Sequence, residues 1–153
     1  MSRELSIKIL TTSDSAALSK ILKTNSAAYQ QYFYPFSFEE QSISLMLSKV
    51  EKDKYWGIWK EDELVGFFML RGFDDRYEIP SYGVCIAESQ LGKGLLKLSL
   101  QFVLSWCKLF NISCLMLKVH PENTKAKETY EKYGFINTGI DTNNNNLIYH
   151  YNF

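Results

Sequence analysis

Leu5, Ile7 and Ile9 alternate with polar neighbours, the two-residue period of a strand with one covered face. The period then lengthens. After Thr12 or Ser13, either of which can cap a helix, Leu18, Ile21 and Leu22 recur at helical spacing. The aromatic connection AAYQQYFYPFSF follows, broken by Pro35. Ser37-Phe38-Glu39-Glu40 has capping-box form and predicts a second helix, with Ile43, Leu47 and Val50 on one face. YWGIW and LVGFFMLRGF are rich in aromatic and branched residues, and the polar run Lys60 to Glu63 between them predicts a hairpin turn. SYGVCIAE predicts a further strand that feeds the stretch QLGKGLLK at 90–97. LLKLSLQFVLSWCKLF is apolar nearly all round and predicts a buried helix; CLMLKV predicts a strand inside a sheet. NTKAKETYEKY predicts a helix that stops at Gly134, and FINTGI and LIYHYNF predict two last strands around Asn143 to Asn146.

The order is β-α-α-β-β-β-α-β-α-β-β. It predicts an α+β fold: one mixed sheet of six or seven strands with helices on both faces. The 153 residues suit a single domain over 1–153.

Composition changes this picture by exclusion. Formal net charge is +0, from 17 basic and 17 acidic residues, which argues against a nucleic-acid surface. The charge is not evenly spread. Between Ser89 and Pro121 there is no Asp or Glu, while Lys93, Lys97, Lys108 and Lys118 lie there, so an anionic ligand fits that segment. Cysteines at 85, 107 and 114 are odd in number with no C-x-x-C, and the two histidines are scattered, so no metal site is expected. The polar N-terminus and the lack of an apolar run near ~20 residues predict a cytoplasmic protein with no membrane span.

The glycine stretch joins a strand to a helix. The first amides of a helix lack partners and its dipole makes that end positive, so glycines there let a phosphate approach the backbone. Gly92 and Gly94 also suit an ordinary turn. A Walker loop is excluded because G-x-x-x-x-G-K-[ST] is absent. A dinucleotide fingerprint is excluded because Lys97 stands where a third glycine would be, and no acid follows about 20 residues on.

Beyond Gly94 come a long helix, the strand LMLKV and then HPENTKAKETYEKYGF. This order resembles the GNAT superfamily of acetyl-CoA-dependent N-acetyltransferases. The glycine stretch resembles that family's pyrophosphate loop, [QR]-x-x-G-x-[GA], although Leu91 stands at the [QR] place and Leu96 at the last [GA] place. Asn123, Ala126, Tyr130, Gly134 and Phe135 match its N-x-x-A-x-x-x-Y-x-x-x-G-F signature. The resemblance covers Ser81 to Phe135.

The resemblance implies a GNAT fold and acetyl-CoA as co-substrate, with no metal. It implies that Gly92, Lys93, Gly94, Leu95, Leu96 and Lys97 cradle the pyrophosphate, that backbone groups of Val84, Cys85 and Ile86 meet the pantetheine arm, and that Asn123 lies beside it. Asn123 also suits a plain helix cap. The acceptor is then a primary amine of a small molecule, an amino sugar for example, or a peptide N-terminus. The second reading, from another class, is a sensor or scaffold that holds acetyl-CoA without turnover.

Acetyl transfer needs a donor for the departing thiolate. Tyr130 is the candidate acid; a tyrosine near ~10 and a thiol near ~8.5 exchange a proton favourably only after thiolate has formed in a desolvated site. Its other reading is packing beside Ala126 and Tyr133. Some relatives place a glutamate where Lys118 stands, so the base is sought elsewhere. Glu78, just before Ile79-Pro80 and the strand expected to receive the arm, is the candidate, with His120 and water as alternatives. Asp74 and Asp75 are expected in a solvated loop with Arg76. Tyr32, Phe33, Tyr34 and Phe36 are expected to line the acceptor pocket; the same rings suit a core or the face of a homodimer.

Overall fold

The computed structural model describes residues 3–30 and 32–153. Its strands are β1 (Leu5–Ile9), β2 (Lys54–Lys60), β3 (Glu63–Arg71), β4 (Ser81–Ile86), β5 (Cys114–Val119), β6 (Ile136–Ile140) and β7 (Leu147–Asn152). The helices are α1 (Ser15–Thr24), α2 (Ala27–Gln30), α3 (Glu40–Ser48), α4 (Leu95–Leu109) and α5 (Thr124–Lys132). The strands form one mixed seven-stranded sheet in the order β1-β2-β3-β4-β5-β7-β6. Every neighbouring pair is antiparallel except β4–β5.

Each face of the sheet carries its own core. Leu18, Ile21 and Leu22 of α1 and Ile43 and Leu47 of α3 pack with Tyr55, Phe67, Met69 and Cys85 on one face. Leu100, Val103 and Cys107 of α4 and Ala126 and Tyr130 of α5 pack with Trp56, Phe68, Tyr82, Leu115 and Leu117 on the other. This explains why β3 is buried from Leu64 to Leu70, with apolar residues everywhere except Gly66: helices cover it on both sides.

Local structure departs from the sequence reading in several places. Helix α1 begins later than Thr12 or Ser13, after one 3₁₀ turn at Thr12–Asp14 in which the Thr11 amide donates to the Asp14 carboxylate at 2.8 Å. The capping box at Ser37 to Glu40 does not form. Ser37 Oγ instead accepts the Glu39 amide at 3.3 Å, an alternative turn two residues on, and α3 starts at Glu40. The aromatic connection holds a helix that its pattern did not announce, α2. Helix α4 buries one side only: Leu109 is 76% exposed and Phe110 beyond it 56%. Asp74 is exposed but not idle, since its carboxylate accepts the backbone amides of Glu51, Lys52 and Asp53 and so pins the α3–β2 turn.

The end of α5 is more tightly specified. The Gly134 amide donates to the Glu131 carbonyl and the Phe135 amide to the Tyr130 carbonyl, both at 3.1 Å, with Gly134 at φ +99°. This is a Schellman ending, and its accompanying apolar contact is Tyr130 against Phe135, with ring centroids 5.9 Å apart. The spacing Tyr-x-x-x-Gly-Phe thus has a mechanical reason: it fixes the aromatic that the helix end presents.

Candidate active site

Strands β4 and β5 part company early. They pair only at Ser81–Met116 and Tyr82–Leu117, although β4 runs on to Ile86 and β5 to Val119. Beyond Tyr82 a gap opens between them. Hydrogen bonding along an antiparallel pair alternates. The Ala87 amide donates to the Val65 carbonyl at 2.9 Å, so odd-numbered residues of β4 turn their polar groups to β3 and even-numbered ones turn them to the gap. Val84 is therefore the first residue whose amide faces the gap with no strand to receive it. The Ile86 amide also faces it and donates to the Tyr29 hydroxyl at 3.3 Å. Cys85 is different from its neighbours: its backbone belongs to the ladder with Phe67, and its side chain turns to the α1–α3 face.

The strand delivers the chain from this gap into the glycine turn. Gly92 and Gly94 stand at φ +79° and +84°, the left-handed region that glycine enters without strain, and nothing lies within 4 Å of where a Cβ would be on either. The first helical bond of α4 runs from the Leu98 amide to the Gly94 carbonyl at 3.0 Å. The amides of Leu95, Leu96 and Lys97 precede it and make no backbone hydrogen bond among the described residues. Leu91, Gly92, Lys93 and Gly94 are exposed, and the Lys93 ammonium is 3.0 Å from the Gln90 side-chain oxygen. The carboxylate of Glu88, just before the turn, is engaged: it accepts the Ser26 amide at 2.9 Å and the Ser26 hydroxyl at 2.8 Å, which hold its pKa low. Open backbone donors, a helix dipole and lysines fit a pyrophosphate.

Gly94→Ala tests this turn. A side chain in the left-handed region costs about 1–2 kcal/mol, which must come out of the turn because the Cβ itself meets no atom. The expected result by calorimetry is acetyl-CoA binding weakened by roughly tenfold with near-native thermal stability. Unchanged affinity would remove the turn from the binding site.

Tyr130 stands at the point where the strands separate. Its ring lies edge-on to Tyr82, the last paired residue of β4, with centroids 6.3 Å apart. Burial pushes its phenol above the ordinary tyrosine range, and the nearby Tyr29 pushes it further. Its hydroxyl has no hydrogen-bond partner among the described residues. Tyr82 is fully engaged, at 2.6 Å from Ser99 Oγ, which itself donates to the Leu96 carbonyl at 2.8 Å; this ties the first turns of α4 to the strand. Cys85 shows what the surroundings do to sulfur: burial pushes its thiol up to about 12, against hydrogen bonds from Asn25 and Tyr29 that lower it.

Asn123 occupies the cap position of α5, yet its side chain makes no capping bond and is half-buried, so it is available to a ligand. His120 follows β5 and lies 5.0 Å from the Tyr32 ring. Its Nδ1 accepts the Glu122 amide at 3.1 Å, which leaves Nε2 as the protonated nitrogen of the neutral ring. Lys118 is paired with Asp141 at 2.9 Å.

The structure separates other residues that the sequence grouped. Glu78 is exposed and precedes β4 at the closed end of the β4–β5 pair, so it is not at the mouth of the gap; it lies six positions before Val84, a span of up to roughly 20 Å. Of the four aromatics expected in a pocket, Phe36 packs on Tyr55 and Phe67 in the core, and Tyr34 is 71% exposed over Phe38. Only Tyr32 and Phe33 reach the gap, Tyr32 through His120 and Phe33 through Gly83. Tyr29 was not singled out by any pattern. Its place is set by Asn25 and Ser26, which clamp α2 to Glu88, and no local spacing signals that contact.

The sequence model of the acetyltransferase (GNAT) family matches residues 18–135. No curated protein matches the chain by sequence. Among solved structures, a domain from Methanocaldococcus jannaschii superposes with a TM-score of 0.82 at 19% identity, over 99% of this chain and 100% of that one. The ribosomal-protein-S5-alanine acetyltransferase of Vibrio fischeri gives 0.82 at 13% identity, over 99% and 94%. A ribosomal L7/L12 α-N-protein acetyltransferase in complex with coenzyme A gives 0.79 at 17% identity, over 99% and 95%. At these identities the likeness is one of fold.

Proposed function

This chain belongs to the acetyltransferase (GNAT) family, and from that premise we propose that it moves an acetyl group from acetyl-CoA to a primary amine by direct transfer in a ternary complex. The observation that carries the reading is the coincidence of two features at one end of β4: an unpaired amide at Val84 in the gap, and an open-donor glycine turn eight residues on. Acetyl-CoA supplies the acyl group: the amine nitrogen bonds to the thioester carbon, the C–S bond breaks, its electrons stay on sulfur, and the amine loses a proton. The turn at Gly92 to Lys97 holds the pyrophosphate. Val84 and Ile86 receive the pantetheine arm as a strand would, and Asn123 flanks it. The Val84 amide polarises the thioester carbonyl.

Tyr130 donates to the sulfur. Its raised pKa keeps it protonated, and a thiolate in a dry gap is a stronger base than one in water, as the Cys85 thiol illustrates. Among the carboxylates considered for the amine's proton, Glu88 and Asp141 are both engaged and Glu78 is remote from the open end. His120 would have to give up its Glu122 contact to accept one. Water at the mouth of the gap takes it.

The acceptor is a small-molecule amine such as an amino sugar, or a peptide N-terminus. Two structural neighbours named for ribosomal-protein acetylation add weight to the peptide. The three free thiols support a cytoplasmic setting. Among the described residues no helix is long and apolar enough to cross a membrane.

An amine panel of amino sugars, polyamines, amino acids and peptide N-termini, followed by thiol release, tests the reading. At least one acceptor is expected to turn over, with kcat/KM rising along that amine's own ionisation rather than that of a protein group. Tight acetyl-CoA binding with no turnover on any amine would leave a non-catalytic binding module.

A further inference from the structure

The gap has one soft wall. The arm, coming from the glycine turn, passes Ile86 before the thioester reaches the Val84 amide. The acyl group then lies at Gly83, one residue short of the closed Tyr82–Leu117 pair. It cannot go forward, because there the strands are hydrogen-bonded. On the α4–α5 side Tyr82 and Tyr130 fill the space, at 3% and 6% exposure. On the other side Gly83 has no side chain, and the room is taken by Met69 Cε and by the Phe33 ring, whose Cε1 is 3.5 Å from where a Cβ would stand. Met69 is buried in the sheet with Phe67 and Tyr55 around it. Phe33 is half-buried, rests edge-on against Phe67 at 5.7 Å, and comes from a connection rather than from the sheet.

We propose that Phe33, lying over Gly83, is the residue that limits the acyl group to acetyl. This rests on the reading of the gap as the acetyl-CoA site and adds to it the size of the acyl chain. A longer chain must displace the Phe33 ring from Phe67; a shorter side chain at position 33 opens the space above Gly83 while leaving the glycine turn, Val84 and Tyr130 untouched.

The test needs no acceptor. Calorimetry measures the affinities of acetyl-CoA and butyryl-CoA for the wild type, Phe33→Ala and Phe33→Leu, with thermal melting to confirm that each variant is folded. A hydrophobic pocket discriminates by roughly 10–200-fold per methylene, so the wild type should bind butyryl-CoA at least ~10-fold more weakly than acetyl-CoA. Phe33→Ala should bring the two within about threefold, and Phe33→Leu, the gentler change in volume, should fall between. An unchanged ratio in a folded variant that still binds acetyl-CoA overturns the assignment of Phe33 alone. Failure of the wild type to bind acetyl-CoA overturns the reading of the gap itself.

Discussion

Tyr130→Phe is expected to lower turnover by ~10²-fold or more and to leave acetyl-CoA affinity nearly unchanged. The substitution removes one oxygen and keeps the ring. That ring is what packs: it meets Tyr82, Phe135 and the core of the α4–α5 face. The hydroxyl has no protein partner among the described residues, so deleting it breaks no hydrogen bond and should cost little stability. A packing tyrosine and a donor tyrosine therefore part company in this variant. Rates on the best acceptor from the amine panel, with calorimetry on acetyl-CoA, decide between them. If turnover stays within about threefold of wild type, Tyr130 is a packing residue and the sulfur finds its proton elsewhere.

Phe68→Ala is expected to be the most destabilising single change, by about 3–5 kcal/mol. Phe68 is completely buried in the middle of β3, stacked on Trp56 at 5.2 Å and met edge-on by Phe102 of α4 at 5.4 Å. Three rings close around one point, and none can collapse into the void without leaving its own contacts, Trp56 with Trp106 and Phe102 with Trp56. Chemical denaturation should show the loss as a lower midpoint with an unchanged slope, and melting as a drop on the order of 10 °C. A loss under about 1 kcal/mol would mean that this aromatic layer repacks freely.

What the sequence made legible follows from how local each cause is. The strand at Leu5 to Ile9, the hairpin at Lys60 to Glu63 and the stop at Gly134 are each written in a handful of adjacent residues, and each is present. The glycine turn was legible because positive φ favours glycine and the first amides of a helix lack internal partners. The gap was not. Nothing in SYGVCI or CLMLKV says that pairing ends at Tyr82, because that depends on how two strands thirty residues apart diverge. The misplacement of Glu78 has the same origin: adjacency to a strand does not reveal which end of a parallel pair opens. The four aromatics at 32–36 looked alike in sequence and divide between core, solvent and gap according to what stands across from them.

The clamp between Glu88 and α2 has a thermodynamic side. Glu88 begins the turn that leads to the open amides of α4, while Ser26 precedes the short helix whose Tyr29 hydroxyl accepts the Ile86 amide at the gap. On the proposed reading, one carboxylate is thus shared between the part of the protein that would grip the donor and the part that would meet the acceptor. Any coupling through such a shared group would be reciprocal: by whatever factor acetyl-CoA improves the hold on an amine, the amine improves the hold on acetyl-CoA. The two substrates need not touch to help one another, since each can stiffen the same pair of hydrogen bonds before the chemistry begins.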